Sequence, residues 1–149
     1  MHYGAIPPKI IAEQFMKPDE GETDLKDYKF LCFHGKPYYC WVDLDRYHGH
    51  KRKVYNLEWV PEQWSVGPYG FCNTNIAKPK NFSEMLRVVE VLCKGFAHVR
   101  VDLYEINGKI YFGEMTFTST SGLDMCNPDE WDYKLGDLWD ISIPQWMKG

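Results

Sequence analysis

The sequence lacks the features that mark several common functional classes. Its uninterrupted apolar runs are only a few residues long, far short of the ~20 residues that a membrane-spanning helix needs. Its longest basic block is the triplet Lys51-Arg52-Lys53, and its formal net charge is −4, which is not typical of nucleic-acid-binding proteins. We therefore expect neither a membrane span nor a nucleic-acid partner.

Patterns of cysteine pairing and of secretion are missing as well. The five cysteines include no C-x-x-C pair and their number is odd, so neither a disulfide framework nor a structural zinc site is indicated. We expect buried free thiols. The segment Met1–Pro8 has none of the apolar stretch of a signal peptide, and this predicts a cytoplasmic protein.

What the chain does have is enough apolar and aromatic surface for one folded domain. Apolar residues make up 44% and aromatic residues 16% of the 149 residues, which excludes a disordered tail. The tryptophans Trp41, Trp59 and Trp64 belong either to the core or to a surface that stacks on sugars. Core packing is the favoured interpretation, because large aromatic side chains dominate protein cores.

Hydrophobic periodicity predicts an α+β fold, an antiparallel sheet with a packed helix. Asn81, Glu84 and Gly95 are predicted to cap the main helix. The region 43–79 is otherwise expected to be irregular. The predicted elements are a strand-like run Lys9–Met16, strands Tyr28–Phe33 and Tyr38–Val42, a short strand near Val54-Tyr55, helix Phe82–Lys94, strands His98–Glu105 and Ile110–Phe117, and a short helix within Pro128–Trp139.

The last strand pair contains the most informative residues. A two-residue turn at Asn107-Gly108 would place Glu114 on the same face as the apolar residues of the first strand, where an unpaired carboxylate is costly. A three-residue loop, Ile106-Asn107-Gly108 with a left-handed Gly108, avoids this cost. The favoured register then collects four residues on one polar face: Arg100, Asp102, Glu114 and Thr116.

That polar face has two interpretations, which the pattern leaves open. Two facing carboxylates, Asp102 and Glu114, beside the hydroxyl of Thr116 suit a hard cation such as Mg²⁺. Alternatively, the face is simply polar and solvated, and Arg100 neutralises Asp102.

Two short polar segments remain as further candidate sites. The first contains Asp45, His48 and His50, and it has three interpretations: a metal site, a basic patch that contacts phosphate or acceptor, or a solvated loop. Within this segment, Arg46 is the best candidate for contacting a carboxylate or phosphate. The segment Ser119-Thr120-Ser121-Gly122 offers hydroxyls to a substrate or is an ordinary polar turn. No serine or cysteine nucleophile motif and no familiar glycine-rich phosphate loop accompanies them.

The stretch Val99–Phe117 resembles the metal-binding end of ATP-grasp enzymes, and in particular the TupA-like (teichuronic acid biosynthesis) ATP-grasp family. Further segments resemble that family in the same order along the chain, and the resemblance covers nearly the whole chain. These segments are Ile10–Met16, similar to the interlobe strand; Asp27–Phe30 with Gly35-Lys36-Pro37, similar to the next hairpin; Lys78–Phe82; and Trp131–Leu138.

The resemblance implies ATP and Mg²⁺ as cofactors. Residues lining the adenine slot would be Glu13, Gln14, Phe15 and Met16. Asp27 would meet the ribose, and Lys29 would lie near the phosphates as a catalytic residue. Arg46, selected for its side-chain chemistry rather than by the resemblance, is the second catalytic candidate. Asp102 and Glu114 match the metal carboxylates. Thr116 stands where many ATP-grasp enzymes have asparagine, and its hydroxyl can still ligate a metal or its bound water.

The implied function is that of an ATP- and Mg²⁺-dependent ligase in cell-surface polysaccharide biosynthesis. Such an enzyme phosphorylates a small-molecule carboxylate, and an amine or other nucleophile then attacks the acyl phosphate; a sugar-linked acceptor is one candidate for this nucleophile. Because the resemblance starts at the interlobe strand, we expect residues 1–149 to form one C-terminal lobe, with the N-terminal lobe absent or supplied by a partner. The alternatives are a non-catalytic nucleotide- or sugar-binding module and an inactive truncated remnant.

Overall fold

The structure, a computed structural model, describes residues 6–22, 24–44, 49–68 and 72–142. The strands and helices confirm the predicted α+β class. They are β1 (Asp27–Phe33), β2 (Lys36–Leu44), β3 (Lys51–Asn56), β4 (Ser65–Val66), α1 (Phe82–Leu92), β5 (His98–Ile106), β6 (Lys109–Thr116), β7 (Cys126–Asn127) and α2 (Glu130–Leu138).

The five-stranded sheet has the order β3-β2-β1-β5-β6, and its paired strands are antiparallel. All seven residues of the central strand β1 are buried, because both faces of the sheet are covered around it. Successive side chains of a strand point to opposite faces. Tyr28 and Phe30 therefore face the core under α1, whereas Asp27 and Lys29 face the opposite side, where the candidate site lies.

Helix α1 packs on one face through Phe82, Met85 and Val89. Its predicted start at Phe82, with Asn81 as the N-cap residue, is confirmed, and Gly95 has the predicted left-handed conformation with φ of 84°. The helix ends at Leu92 rather than Lys94, and the predicted side-chain capping is wrong, since Asn81 makes no capping hydrogen bond. Instead, Asn81 Nδ2 donates to the Gly108 carbonyl at 2.7 Å, and the carboxylate of Glu105 accepts the backbone N–H of Asn81 at 3.0 Å. The hairpin therefore fixes the segment that precedes α1, whereas the N–H groups of Phe82 and Glu84 are bonded by the local carbonyls of Pro79 and Asn81.

The predicted length of the β5–β6 loop is wrong, although the left-handed Gly108 and the shared polar face of Arg100, Asp102, Glu114 and Thr116 are confirmed. The loop contains only Asn107 and Gly108, with φ of 51° and 72°, as in a type I′ turn. A bulge further along shifts the register between Asp102 and Leu103, so that Asp102 pairs with Glu114. Gly113 is the additional residue, and a Cβ there would lie 2.9 Å from Tyr104 Cε2. Without the bulge, the two-residue turn would place Glu114 on the apolar face of the hairpin. The additional residue at the bulge returns Glu114 to the polar face, opposite Asp102.

The opposite face of the sheet is partly covered by a second apolar cluster beneath β4, β7 and α2. Trp64 is buried there and stacks on Trp131 with ring centroids 4.8 Å apart. Trp41 is buried in the same cluster, and Trp59 stacks on Tyr55 at 4.3 Å. Core packing of the three tryptophans is therefore confirmed. All five cysteines are free and buried, as predicted.

The predicted strand at Lys9–Met16 is wrong. Residues 6–22 contain no helix or strand, and Ile10, Ile11 and Phe15 are exposed. A strand needs a neighbour for its backbone hydrogen bonds, and none is formed here within the described part of the chain. Asp19 Oδ1 accepts the backbone N–H of Asn107 at 2.7 Å and ties the segment to the hairpin turn. No helix in the described ranges is long and apolar enough to cross a membrane.

Candidate functional site

A row of ionisable side chains crosses the sheet on the face opposite α1. Strand pairing places Lys29 of β1 beside Asp102 of β5, and Asp102 beside Glu114 of β6. Asp102 is 1% exposed, whereas the Glu114 side chain is 61% exposed. The row therefore leads from the buried centre of the sheet to its solvent-facing edge.

Arg100 binds all three of the predicted metal ligands. Its Nη2 donates to Asp102 Oδ2 at 2.8 Å, to Glu114 Oε1 at 2.8 Å and to Thr116 Oγ1 at 2.9 Å. Its Nε donates to Asp102 Oδ1 at 2.7 Å, which completes a two-pronged ion pair. The ion pair that was one interpretation of this face is thus present, but it is buried rather than solvated.

Lys29 is the second cation on Asp102. Its Nζ pairs with Asp102 Oδ2 and lies 2.7 Å from Asp27 Oδ2. Asp27 and Lys29 are both almost fully buried. Because a buried charge is tolerated only when it is paired and hydrogen-bonded, these two carboxylates and one ammonium must be regarded as a unit.

Asp43 and Arg52 continue the charged face onto β2 and β3. Arg52 donates from Nε and Nη2 to the two oxygens of Asp43 at 2.6 and 2.9 Å. Burial by itself raises the pKa of Asp43, but the hydrogen bonds and charge of Arg52 outweigh it, and the pKa falls below its ordinary value. We define the ionic cluster as seven residues: Asp27, Lys29, Asp43, Arg52, Arg100, Asp102 and Glu114.

The chemistry of these oxygens fits a hard divalent cation. Asp102, Glu114 and Thr116 place two carboxylate oxygens and a hydroxyl around a single point, now held by Arg100 Nη2. Oxygen donors of this kind are the ligands that Mg²⁺ prefers. No cluster of three or more His, Cys, Asp or Glu side chains with metal-binding geometry occurs in the described ranges. A cation here would therefore depend on the hydroxyl and on non-protein ligands as well.

Comparison with known proteins identifies the family. The model of the family described as TupA-like ATPgrasp matches residues 1–140. The chain belongs to this family. No curated protein and no solved structure gave a match. Membership of the TupA-like ATPgrasp family indicates an ATP-grasp ligase type of protein, as the sequence resemblance implied.

The residues that the resemblance assigns to adenine lie apart from the ionic cluster. Glu13, Gln14, Phe15 and Met16 line an open groove of about 550 Å³ beside the tip of the β5–β6 hairpin. The groove also contacts Tyr111 and Phe112 of β6. Because Tyr111 pairs with Tyr104, two residues beyond Asp102, the groove and the cluster lie along the same hairpin.

The histidine-rich segment is only partly described. Arg46, Asp45 and His48 lie outside the described residues. His50 is described, and its Nε2 lies 3.2 Å from Asp43 Oδ1. This contact connects the segment to the ionic cluster.

The polar segment after β6 contacts the ionic cluster directly. Arg100 Nη1 donates to Ser119 Oγ at 3.1 Å, and Ser119 in turn donates to Asp124 Oδ2 at 2.7 Å. Thr120 and Ser121 both have positive φ, 44° and 57°. Non-glycine residues adopt this conformation only under constraint, and such strain concentrates at functional sites.

Sequence reasoning missed Asp43 and Arg52 as members of the charged face. The alternation of β2 gave a usable signal for Asp43, because it lies two residues from Trp41 and therefore on the same face. Arg52 had no such signal, since its partner is set by the pairing of β2 with β3.

Proposed function

We propose that this protein is an ATP- and Mg²⁺-dependent ligase that activates a small-molecule carboxylate as an acyl phosphate and transfers the acyl group to an amine or other nucleophile. We place it in cell-surface polysaccharide biosynthesis, with a sugar-linked compound as one candidate acceptor. The observation that carries the proposal is the convergence of Asp102, Glu114 and Thr116 on one point in a chain of the TupA-like ATPgrasp family.

In this proposal Asp102, Glu114 and Thr116 hold Mg²⁺. A bound Mg²⁺ would neutralise charge on the phosphoryl group during transfer. Arg100 would release Nη2 from these oxygens while keeping its bonds from Nε to Asp102 and from Nη1 to Ser119. The ionic cluster contains four carboxylates and only three fixed cations, and this imbalance favours an additional positive charge.

The remaining assignments follow from the family resemblance, except that of Arg46, which rests on the suitability of a guanidinium for carboxylate or phosphate. Glu13 to Met16 bind the adenine in their groove, Asp27 contacts the ribose, and Lys29 and Arg46 bind phosphate or carboxylate oxygens. Lys29 is buried against Asp27 and Asp102. Its ammonium therefore reaches a phosphate only if one of these two contacts is exchanged.

The metal assignment is tested by Glu114→Gln, with Glu84→Gln as the matched control. Both glutamates are exposed and paired with an arginine, Glu114 with Arg100 and Glu84 with Arg87. Without ligand, both variants should melt close to the wild type, because exposed ion pairs contribute little. A ligand at 100 times its Kd adds ~2.7 kcal/mol to stability. With Mg²⁺–ATP, the wild type and Glu84→Gln should gain this stability and Glu114→Gln should not.

Two results would contradict the assignment. An equal gain in all three proteins would place the metal elsewhere. A sharp loss of stability in ligand-free Glu114→Gln would make Glu114 a structural partner of Arg100.

Acyl phosphate formation separates an enzyme from a binding module. Hydroxylamine converts acyl phosphates to hydroxamates, so a panel of small carboxylates incubated with Mg²⁺, ATP and hydroxylamine reports the reaction. We expect hydroxamate and ADP in equal amounts with the wild type and neither with Glu114→Gln. Binding of Mg²⁺–ATP without hydroxamate from any member of a broad panel would favour the non-catalytic module.

A further inference from the structure

A second cavity, of about 270 Å³, lies between the sheet and α2. Its walls are largely apolar and include Leu31 and Phe33 from β1, Val66 from β4 and Leu135 from α2. It is separate from the groove at Glu13–Met16. Two of its lining residues contact the ionic cluster: Ser119 accepts from Arg100, and the ring of Trp41 lies beneath Arg52 and Arg100. Its volume suits a small organic molecule rather than a nucleotide.

The charged residues that line this cavity are acidic. Among the described residues, Asp124 and Asp132 line it and no lysine or arginine does. Both oxygens of Asp132 accept the backbone N–H of Cys126, at 3.2 and 3.3 Å, so this carboxylate secures β7. Asp124 accepts only from Ser119, through Oδ2, within the described part of the chain. Its Oδ1 remains as an acceptor for a ligand.

His98 offers a second acceptor. Its Nδ1 lies 3.0 Å from the Cys32 carbonyl, which can only accept, so Nδ1 carries the proton and Nε2 has the lone pair. Burial lowers the pKa of His98, with the charge of Arg100 acting in the same direction, so the ring is neutral at pH 7. Phe33 and Trp139 each lie 4.7 Å from the His98 ring centroid. The ring is thereby held in place with Nε2 unbonded among the described residues.

Trp41 adds a buried polar group without a partner. It lines the cavity, is 3% exposed, and its Nε1 has no hydrogen-bond partner in the described structure. An unsatisfied buried N–H group is rare and costly. A ligand that carries an acceptor removes this cost. An ammonium group only donates, so the Trp41 N–H indicates an incompletely satisfied cavity wall and does not by itself select an ammonium.

We propose that this cavity binds a small organic ammonium compound with an apolar body. Asp124 Oδ1 and His98 Nε2 accept the N–H groups of the ammonium, and the apolar walls hold the body. The two carboxylates of the described lining disfavour an anion. Arg100 contacts the lining residues Ser119 and Trp41 but does not itself line the cavity. Binding itself is independent of ATP; the further role of such an amine as the attacking nucleophile rests on the proposed function.

The experiment compares three probes of one shape by calorimetry: phenethylammonium, the neutral 2-phenylethanol and the anionic phenylacetate. We expect phenethylammonium to bind at least tenfold more tightly than the alcohol, and phenylacetate not to bind. Asp124→Asn should weaken the ammonium about tenfold while leaving the alcohol within about twofold. Glu84→Gln, far from the cavity in the sequence and exposed on α1, should change neither.

A second variant tests the location of the binding site without removing a charged or hydrogen-bonded side chain, so that a loss of binding is not a consequence of misfolding. Gly136 lines the cavity from α2, and a Cβ added there has nothing within 4 Å. Gly136→Leu should fold, since leucine is a better helix former than glycine, and should abolish binding of both the ammonium and the alcohol.

Equal binding of the three probes, tighter binding of phenylacetate, or undiminished binding to folded Gly136→Leu would overturn the proposal. Mg²⁺–ATP binding by Asp124→Asn is measured in parallel. If the amine binds but Mg²⁺–ATP does not, the ligase proposal is wrong and the proposal that the cavity binds an ammonium compound is retained. If Mg²⁺–ATP binds and the amine does not, the cavity proposal fails alone.

Discussion

Arg100 belongs to both interpretations of the charged face, the buried ion pair and the cation site. Its guanidinium neutralises Asp102 in the ligand-free protein and occupies the point on which the predicted metal ligands converge. A planar group with several fixed donors suits both tasks, because it can release the three hydrogen bonds of Nη2 and keep those of Nε and Nη1. A structural ion pair and a cation site are therefore compatible at this position, provided that Arg100 can shift.

Replacing Arg100 should be costly for the fold. Arg100→Ala leaves Asp102, which is 1% exposed, with Lys29 as its only cation among the described residues. Removing one partner of a buried pair costs ~3–5 kcal/mol. The matched Arg87→Ala breaks an exposed pair with Glu84 and should cost less than ~0.5 kcal/mol. Urea unfolding measures both values, and a difference below ~1 kcal/mol between the variants would contradict the buried network.

Asp43 should make stability depend on pH in the acid range. Its pKa in the folded protein lies below its ordinary value of 3.8: burial raises the pKa, but the hydrogen bonds and charge of Arg52 outweigh burial. A depressed pKa stabilises the fold above pH ~3.8, and this contribution is lost as the pH falls through the folded-state value. Asp43→Asn should therefore be less stable than the wild type at pH 6, and the gap should narrow below pH ~3.8. A gap that stays constant with pH would exclude this linkage.

At the scale of elements, the sequence predicted the strands better than their connections. Alternation identified β1, β2, β5 and β6 because each has one apolar face that must be buried. It could not distinguish a three-residue loop from a two-residue turn followed by a bulge, since both shift the register by one residue. It also mistook Lys9–Met16 for a strand, because apolar residues favour strands whether or not a neighbouring strand is present.

The bulge at Gly113 should be intolerant of a side chain. A Cβ at this position would lie 2.9 Å from Tyr104 Cε2 and 3.0 Å from the Asp102 carbonyl oxygen. Gly113→Ala should cost ~1–3 kcal/mol through overpacking. Gly136→Ala in α2, where the added Cβ meets nothing within 4 Å, should instead stabilise by ~0.5–1 kcal/mol. Opposite signs in thermal or urea unfolding are expected, and a neutral Gly113→Ala would show that the register does not depend on this glycine.

At the scale of the whole molecule, one sheet separates two different environments. The face under α1 is a continuous apolar core, whereas the opposite face combines the ionic cluster with the apolar residues beneath α2. The packing of the first face could be predicted from the sequence, because the apolar residues of α1 recur every three or four positions. That of the second could not, because β4 and β7 are two residues each and pair across a long stretch of chain, Ser65 with Asn127. The cavity that depends on this pairing was therefore invisible in the sequence.

This asymmetry should produce a gradient of local stability. Phe30 of β1 and Val101 of β5 pair at the centre of the sheet and are fully buried. Their backbone hydrogen bonds can open only when the core opens. Helix α2, in contrast, has no buried residue, and its contacts are confined to partly buried side chains such as Trp131 and Leu135. Local opening is easiest where few apolar contacts are lost.

Native-state hydrogen exchange should resolve this gradient. The amides of Phe30 and Val101 should exchange only through global unfolding, with protection equal to the free energy of unfolding and a full dependence on urea. The amides of α2 should exchange through a smaller opening, with lower protection and a weaker urea dependence. Because α2 also forms a wall of the 270 Å³ cavity, that opening exposes the cavity without disturbing the core under α1. Equal protection of α2 and β1 would show instead that the two faces of the sheet unfold as one unit.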